Sequence, residues 1–308
     1  MRKTSLIFLS VLAGPTGALL GAEPKPAAPP ADKFHLSDLL PRAMQKNPRL
    51  NLSIITELTD DGRKIAAPTK ERPAYYAVLD GGLVEAGDVL AGEKPPAAEK
   101  LARVMHAALA ESGFQPATPA HPPTLLVHYR WGAFNHLSAI GPMSDDDGDP
   151  DGTPDDDAMR KNFMARASLV GGLKFANELM HAYDWRQTGA LDRFRLKEDN
   201  YDLLVTMAES DLYFLIAIAY DGDAAKQGKK KVLWTTKLST DSHGLAMGET
   251  LPSLVANAGN FFGHETKGSV IYHPRVYEGH VEIGEATVKE YLDDAASPGT
   301  KTPPAKKP

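Results

Sequence analysis

The chain has 308 residues, no cysteine, 42% hydrophobic residues and a formal charge of −6. That length and apolar share support one large domain or two small ones, held by core burial alone since no disulfide can form. The same facts exclude thiol catalysis, thiolate zinc and iron–sulfur ligation, and the acidic balance speaks against nucleic acid, whose phosphates need a basic face.

Residues 1–22 read as a secretory signal peptide. Arg2 and Lys3 precede an apolar run from Leu6 to Leu12, and the small residues Gly21 and Ala22 close the segment. The run is short and broken by Gly14, Pro15 and Gly17, so it does not suit a spanning helix. No cysteine follows it, which excludes a lipoprotein anchor. The expectation is an exported protein, periplasmic or extracellular after cleavage, with no transmembrane segment in the mature chain. Losing Arg2 and Lys3 takes the formal charge to −8.

A Pro- and Ala-rich linker over 23–33 comes next. From there a single α+β domain is expected over 34–290. Ser37 is placed to cap a short helix through Leu39, Leu40 and Met44. Strands are expected over Ile54–Leu58 and Ala74–Leu79, closed by turns at Asp60-Asp61-Gly62 and Asp80-Gly81-Gly82. After Pro95-Pro96, Leu101, Val104, Met105, Ala108 and Leu109 recur at helical spacing, and Gly113 suits the stop. Thr124–Trp131 is the following strand, with Leu126 and His128 on one face and Leu125 and Val127 on the other. Together these make a strand–helix–strand unit.

Residues 139–157 hold eight aspartates, three glycines and three prolines without apolar periodicity, and read as an acidic insertion. Asp157 then opens a long helix carrying Phe163, Val170, Leu173 and Leu179, interrupted at Gly171-Gly172. A charged stretch from Arg186 to Asn200 separates it from Leu212–Tyr220, the most apolar run of the chain. Nine residues do not cross a bilayer, so this is a buried central strand. Asp221-Gly222-Asp223 turns it into an antiparallel return strand, Val232–Leu238. A helix from Met247 to Phe262 presents Leu251, Leu254, Val255 and Ala258 on one face. Short strands near Val270–Tyr272 and Val281–Ile283 complete a mixed β-sheet flanked by helices, sandwich-like in its layering. Residues 291–308 read as a disordered tail.

One pattern spans several of these elements. The helix from Leu101 ends in Gly113-Phe114-Gln115-Pro116 and leads to Pro123-Thr124-Leu125-Leu126-Val127-His128-Tyr129. Later come Ile216-Ala217-Ile218-Ala219-Tyr220-Asp221 and Lys231-Val232-Leu233-Trp234, followed by a helix. This resembles small exported proteins of Gram-negative envelopes classed as domains of unknown function, over about half of the chain. The resemblance implies an α/β sandwich in the envelope. That family has no established activity, so no functional residue carries over. Many of its members are lipoproteins, whereas this chain lacks the cysteine, and Ala139–Asn200 has no counterpart among them.

The most specific local motif is Asp147-Gly148-Asp149-Pro150-Asp151-Gly152-Thr153-Pro154-Asp155. Asp147, Asp149, Asp151 and Asp155 stand at positions one, three, five and nine of a calcium loop, with Gly152 at the turn. Position twelve is Ala158, where a bidentate glutamate belongs, and Pro150 stiffens the loop. An acidic, solvated insertion fits the same residues. The ten histidines show no metal-ligand spacing; His121, His128 and His136 flank one strand, with His106 on the preceding helix. Neither a Gly-x-Ser-x-Gly elbow nor a phosphate-cradling glycine loop occurs. Thr240-Asp241-Ser242-His243 reads as a cap for the helix after it. Tyr129, Trp131 and Phe134 either line a ligand groove or pack in the core, with Tyr129 and Trp131 on one face.

Three function classes follow. The favoured one is a non-enzymatic module that binds or assembles an envelope protein. The second is a hydrolase with a site assembled from distant residues near His128, Trp131 and His243. The third is a calcium-stabilised structural protein. For the calcium loop, calorimetry of the mature protein is expected to show Ca²⁺ binding at about 0.1–1 mM, lost in Asp147→Asn/Asp149→Asn. Absence of heat at millimolar Ca²⁺ leaves the acidic-insertion reading.

Overall fold

The computed structural model describes residues 39–45, 47–88, 93–137, 156–188 and 200–276, all within the unit Phe34–Pro308. Side chains 156–157 and 182–188 are outside that description. Strand β5 (Leu212–Asp221) runs through the middle of a seven-stranded sheet, as its unbroken apolar sequence demands. It pairs antiparallel with β4 (Leu125–Phe134) on one side and with β6 (Val232–Asp241) on the other. Next to β4 lies β2 (Ala74–Ala86), parallel to it, and the short β3 (Phe114–Pro116) pairs with the start of β2. Next to β6 lies β1 (Leu52–Leu58), then β7 (Val270–Tyr272), both antiparallel. The order is β3-β2-β4-β5-β6-β1-β7, a mixed sheet.

Period-two alternation sorts the side chains of this sheet onto two faces. Tyr213, Leu215, Ala217 and Ala219 of β5 join Leu125, Val127, Tyr129 and Trp131 of β4 in one core layer. Helix α2 (Ala98–Glu111) covers that layer through Leu101, Val104, Met105, Ala108 and Leu109, all at helical spacing. Helix α6 (Met247–Asn257) covers it beside α2 through Met247, Leu251, Leu254 and Val255. On the opposite face Leu212 and Phe214 meet helices α3 (Asp156–Thr188) and α4 (Tyr201–Ala208). The chain is therefore α+β, a mixed sheet flanked by helices on both faces. Burying each of these large apolar side chains contributes about 1.5–3 kcal/mol.

Helix α3 is two helical segments that meet at Gly172, whose φ of 80° breaks the helix. A Cβ there would lie 2.5 Å from Ile55 Cδ1, so the break is where the helix crosses β1. Downstream of the kink the helix presents Leu173 to solvent, 61% exposed, instead of to the core position expected for it.

Several expected boundaries shift for identifiable reasons. Strand β2 does not end at Leu79 but continues to Ala86, because β4 pairs with it on both sides of a bulge between Asp80 and Leu83. Gly82, at φ 76°, makes the extra residues possible, and its N–H donates to Asp80 Oδ1 at 2.8 Å. Asp60–Arg63 is a one-turn helix (α1) capped by Thr59, not a plain turn, and Gly222–Lys226 (α5) is another, capped by Asp221. Near Met44 the described residues form a 3-10 turn, Arg42–Met44, and not the expected helix; Ser37 lies outside the described residues. Helix α6 is shorter than expected, ending at Asn257. Its N-cap is Ala246 without a side-chain bond, so Thr240 to His243 do not cap it; Thr240 and Asp241 end β6. The Val281–Ile283 strand, the linker, the signal peptide and the tail lie outside the described residues.

Leu215 is wholly buried at the centre of the sheet. Leu215→Ala is expected to lower the unfolding free energy by about 2–5 kcal/mol in urea titration. Leu79→Ala, at a 52% exposed position, is expected to stay within about 0.5 kcal/mol of the parent.

Candidate functional site

Strand directions concentrate polar groups along one rim. The C-terminal ends of β2, β4 and β6 and the N-terminal ends of β5 and β1 all finish there, as the registers Ala86↔Phe134, Phe134↔Leu212, Leu212↔Asp241 and Ser53↔Ser239 require. Three polar assemblies occupy that rim.

The first surrounds His136, immediately after β4. Asp211, just before β5, accepts from the His136 backbone N–H and lies 2.7 Å from ring Nδ1. Arg166, on α3 and only 3% exposed, places Nη1 2.8 Å from His136 Nε2 and 3.0 Å from the Ser210 carbonyl. A guanidinium only donates, so Nε2 accepts and the ring proton sits on Nδ1, facing the carboxylate. Burial alone raises the Asp211 pKa; the hydrogen bonds from His136 and the charge of Arg166 outweigh it and hold the carboxyl below its ordinary value. Burial draws the Arg166 guanidinium down, against the pull of Asp211 and Glu209. Asn162 of α3 donates to the Asn135 carbonyl at 3.1 Å, and the Asn135 amide donates to the Asp88 carbonyl at 2.6 Å. Asn135 Oδ1 and Arg166 Nε are buried without hydrogen-bond partners among the described residues, at a cost of about 1–3 kcal/mol each.

The second assembly lies on the α2/α6 side. The Tyr213 hydroxyl donates to Glu93 Oε1 at 2.7 Å and lies 3.1 Å from the Leu245 carbonyl. Burial, reinforced by Glu93, pushes the Tyr213 phenol well above its ordinary value. These groups line a cavity of about 490 Å³ with Lys94, Met247 and Gly248, at the start of α6. The third joins Arg42 to Asp241, whose other oxygen accepts from the Asn51 amide at 3.1 Å; Asn51 Oδ1 in turn lies 3.2 Å from His273 Nδ1.

The chemistry of the His136 cluster is that of a clasp. Both ring nitrogens are engaged, one by a carboxylate and one by a guanidinium. A substrate proton therefore has no free ring nitrogen to reach while Arg166 stays in place. What the cluster does is tie β4, β5 and α3 together at one point.

The histidines named from sequence do not converge. His106 lies 2.5 Å from the Tyr76 hydroxyl, His121 stacks on Tyr75 at 4.4 Å, and His136 joins Asp211. His128 and Trp131 project from opposite faces of β4, because they are an odd number of residues apart, and His243 is exposed. The hydrolase site built from those three is not formed. Tyr129 and Trp131 are core residues under α2 and α6 and do not line a groove, while Phe134 packs on the other face. The calcium-loop residues Asp147, Asp149, Asp151 and Asp155 lie outside the described residues. Among the described residues, no group of three or more His, Cys, Asp or Glu is arranged to hold a metal, and no helix is long and apolar enough to cross a membrane. Sequence reasoning did not find Arg166 and Asp211. Nothing in their local sequence marks them, since α3 and β5 bring them together from 45 residues apart.

No protein-family model and no curated protein matches the chain. Among solved structures it is similar to the PelC dodecamer from Paraburkholderia phytofirmans. In the C2 crystal form of a PelC variant the match covers 67% of this chain and 95% of that one, at 8% identity and a TM-score of 0.27. In the P6 form it covers 68% and 95%, at 7% identity and a TM-score of 0.26. Values this low assign neither a family nor a function.

Asp211 supplies a pH test of the clasp. A carboxyl held below its unfolded value contributes stability that is present above about pH 4 and is lost as pH falls through the folded value. Asp211→Asn is expected to cost about 1 kcal/mol at pH 7, discounted for partial exposure, with the difference from the parent shrinking as pH falls below about 4 toward the lowered folded value. Chemical denaturation at pH 7, 5 and 3 measures it; a pH-independent difference would show that the carboxylate charge is not what His136 and Arg166 hold.

Proposed function

We infer that this chain is an exported, non-catalytic module that works by binding another envelope protein. One observation carries the reading: beyond Tyr76, strand β2 has no neighbour on its outer side among the described residues, and it exposes Val78 (38%), Leu79 (52%) and Leu83 (42%). An unpaired strand with adjacent exposed apolar groups is the usual form of a protein-docking edge, because its backbone donors and acceptors await a partner strand. The opposite end of the sheet is treated differently. There Thr266 bonds to the backbone of Thr56 on the outer side of β1, and β7 covers the start of that strand. The outer side of β1 is thus covered by β7 and Thr266, whereas β2 beyond Tyr76 has no such cover among the described residues.

Export rests on the basic, apolar and small-residue sequence of residues 1–22. The protein recovered from the periplasm or medium is expected to begin at Glu23 by N-terminal sequencing. Recovery only from the cytoplasm with Met1 retained would sink that half of the reading.

For binding, a photo-crosslinking residue placed at Leu79 or Leu83 in intact cells is expected to trap one dominant envelope protein. The same residue at Ile65, equally exposed but on α1's flank, is expected to trap none. Identical products from all three positions, or none from any, would overturn the binding reading.

A further inference from the structure

We propose that the outer edge of β2 takes an extended segment of a partner protein, one that alternates apolar and basic side chains. This names the partner chemistry for the binding-module reading, and it rests on that reading.

The direction of the backbone identifies which groups are on offer. Tyr76 gives its carbonyl to the Ala117 N–H at 2.8 Å on the β3 side, while Tyr75 gives its own to the Thr124 N–H at 2.9 Å on the β4 side. Successive strand residues turn their N–H and C=O groups to opposite sides. Val78 and Asp80 therefore face outward. The bulge resets the phase: the Ala86 carbonyl accepts from Asn135 N–H at 2.7 Å on the β4 side, so Leu83 and Glu85 face outward after it. Among the described residues, β3 pairs only with Ala74, Tyr75 and Tyr76. Four residues in ladder order, Val78, Asp80, Leu83 and Glu85, thus present backbone donors and acceptors that no described residue pairs.

The same alternation places all four side chains on one face, the α2 side, and all four are exposed; the Asp80 carboxylate also accepts from Gly82 N–H and meets the Tyr129 hydroxyl, and Glu85 is the acid at the far end of the row. The bond from His106 to Tyr76 holds α2 over the start of this edge. An added strand would set every second side chain opposite the sequence apolar, acidic, apolar, acidic. Cross-strand pairs favour apolar against apolar and opposite charge against charge. The fitting occupant carries Val, Leu or Ile opposite Val78 and Leu83, and Lys or Arg opposite Asp80 and Glu85.

A second copy of this chain fits less well. Pairing two such edges about a twofold axis sets Val78 against Glu85 and Asp80 against Leu83, leaving every carboxylate beside an apolar group. The neighbouring registers oppose Asp80 to Asp80, or Asp80 to Glu85. Like charges directly opposite are destabilising.

The test uses the mature chain and a labelled peptide in which Thr alternates with Val, Lys, Leu and Lys, with a counterpart carrying Glu for Lys. Fluorescence anisotropy is expected to show binding of the Lys peptide and weaker binding of the Glu peptide. In Asp80→Lys/Glu85→Lys the Lys peptide should lose about three- to tenfold in affinity and the Glu peptide should gain, since each exposed charge pair contributes modestly. Asp80→Lys also removes the bond that Gly82 N–H makes at the bulge, so circular dichroism checks the fold, and Glu85→Lys alone, which leaves that bond in place, is expected to show the same direction of change at smaller size. Equal binding of the two peptides, or binding of neither at millimolar concentration, overturns the proposed partner chemistry. A concentration-dependent dimer in sedimentation that the double variant abolishes also overturns it, and gives the edge to a second copy. In either case, position-specific trapping from Leu79 in cells still stands or falls independently and reports on the binding-module reading itself.

Discussion

Everything in this fold depends on strand β5 being buried from both sides at once. Leu212, Tyr213, Phe214 and Leu215 are all buried, so neither face of the strand touches water at this point. Such a strand needs a neighbour along each edge and a helical layer over each face, because an unpaired backbone group in that setting costs as much as a lost hydrogen bond. Strands β4 and β6 satisfy the edges. Helices α2 and α6 cover one face, and α3 with α4 the other. The three-layer architecture follows from one nine-residue apolar run that no other arrangement would keep dry.

The burial is uneven along the strand, and that unevenness organises the surface. At the Leu212 end the helices of both layers close over the sheet, and most polar groups brought to that rim bond to one another, with Asn135 Oδ1 and Arg166 Nε left without partners among the described residues. The result is the Asp211–His136–Arg166 clasp, the Tyr213–Glu93 pair and the Arg42–Asp241–Asn51 chain. At the far end the ion pairs Arg63–Glu265 and Lys231 with Asp61 and Asp221 are exposed. Pairs of that kind are screened by solvent and contribute little to stability. The rim is therefore where polar substitutions will be felt as stability.

Much of the secondary structure was legible because it is written in local periods. The apolar spacing from Leu101 to Leu109 predicts α2 and its buried face, and the run from Leu212 predicts the central strand. The Asp-Gly turn signal with Val232 onward predicts the antiparallel return of β6. Where local reading failed, a partner strand or a crossing helix decided. Asp80-Gly81-Gly82 has the composition of a turn, yet β4 pairs with β2 on both sides of it and makes it a bulge. Leu173 has the composition of a core residue, yet the break at Gly172 turns it to solvent.

The sequence by itself determined the fold class, the central strand, the two helical faces and the expectation of export, since each rests on patterns within about twenty neighbouring residues. Only the tertiary structure decided which polar groups meet and which edge stays open. His136, Arg166 and Asp211 come together because β4, α3 and β5 end at one rim. Among the described residues, the outer side of β2 beyond Tyr76 has no neighbour because β3 is three residues long. Both outcomes depend on strand order and register, which are set by long-range packing and leave no mark in the neighbouring residues.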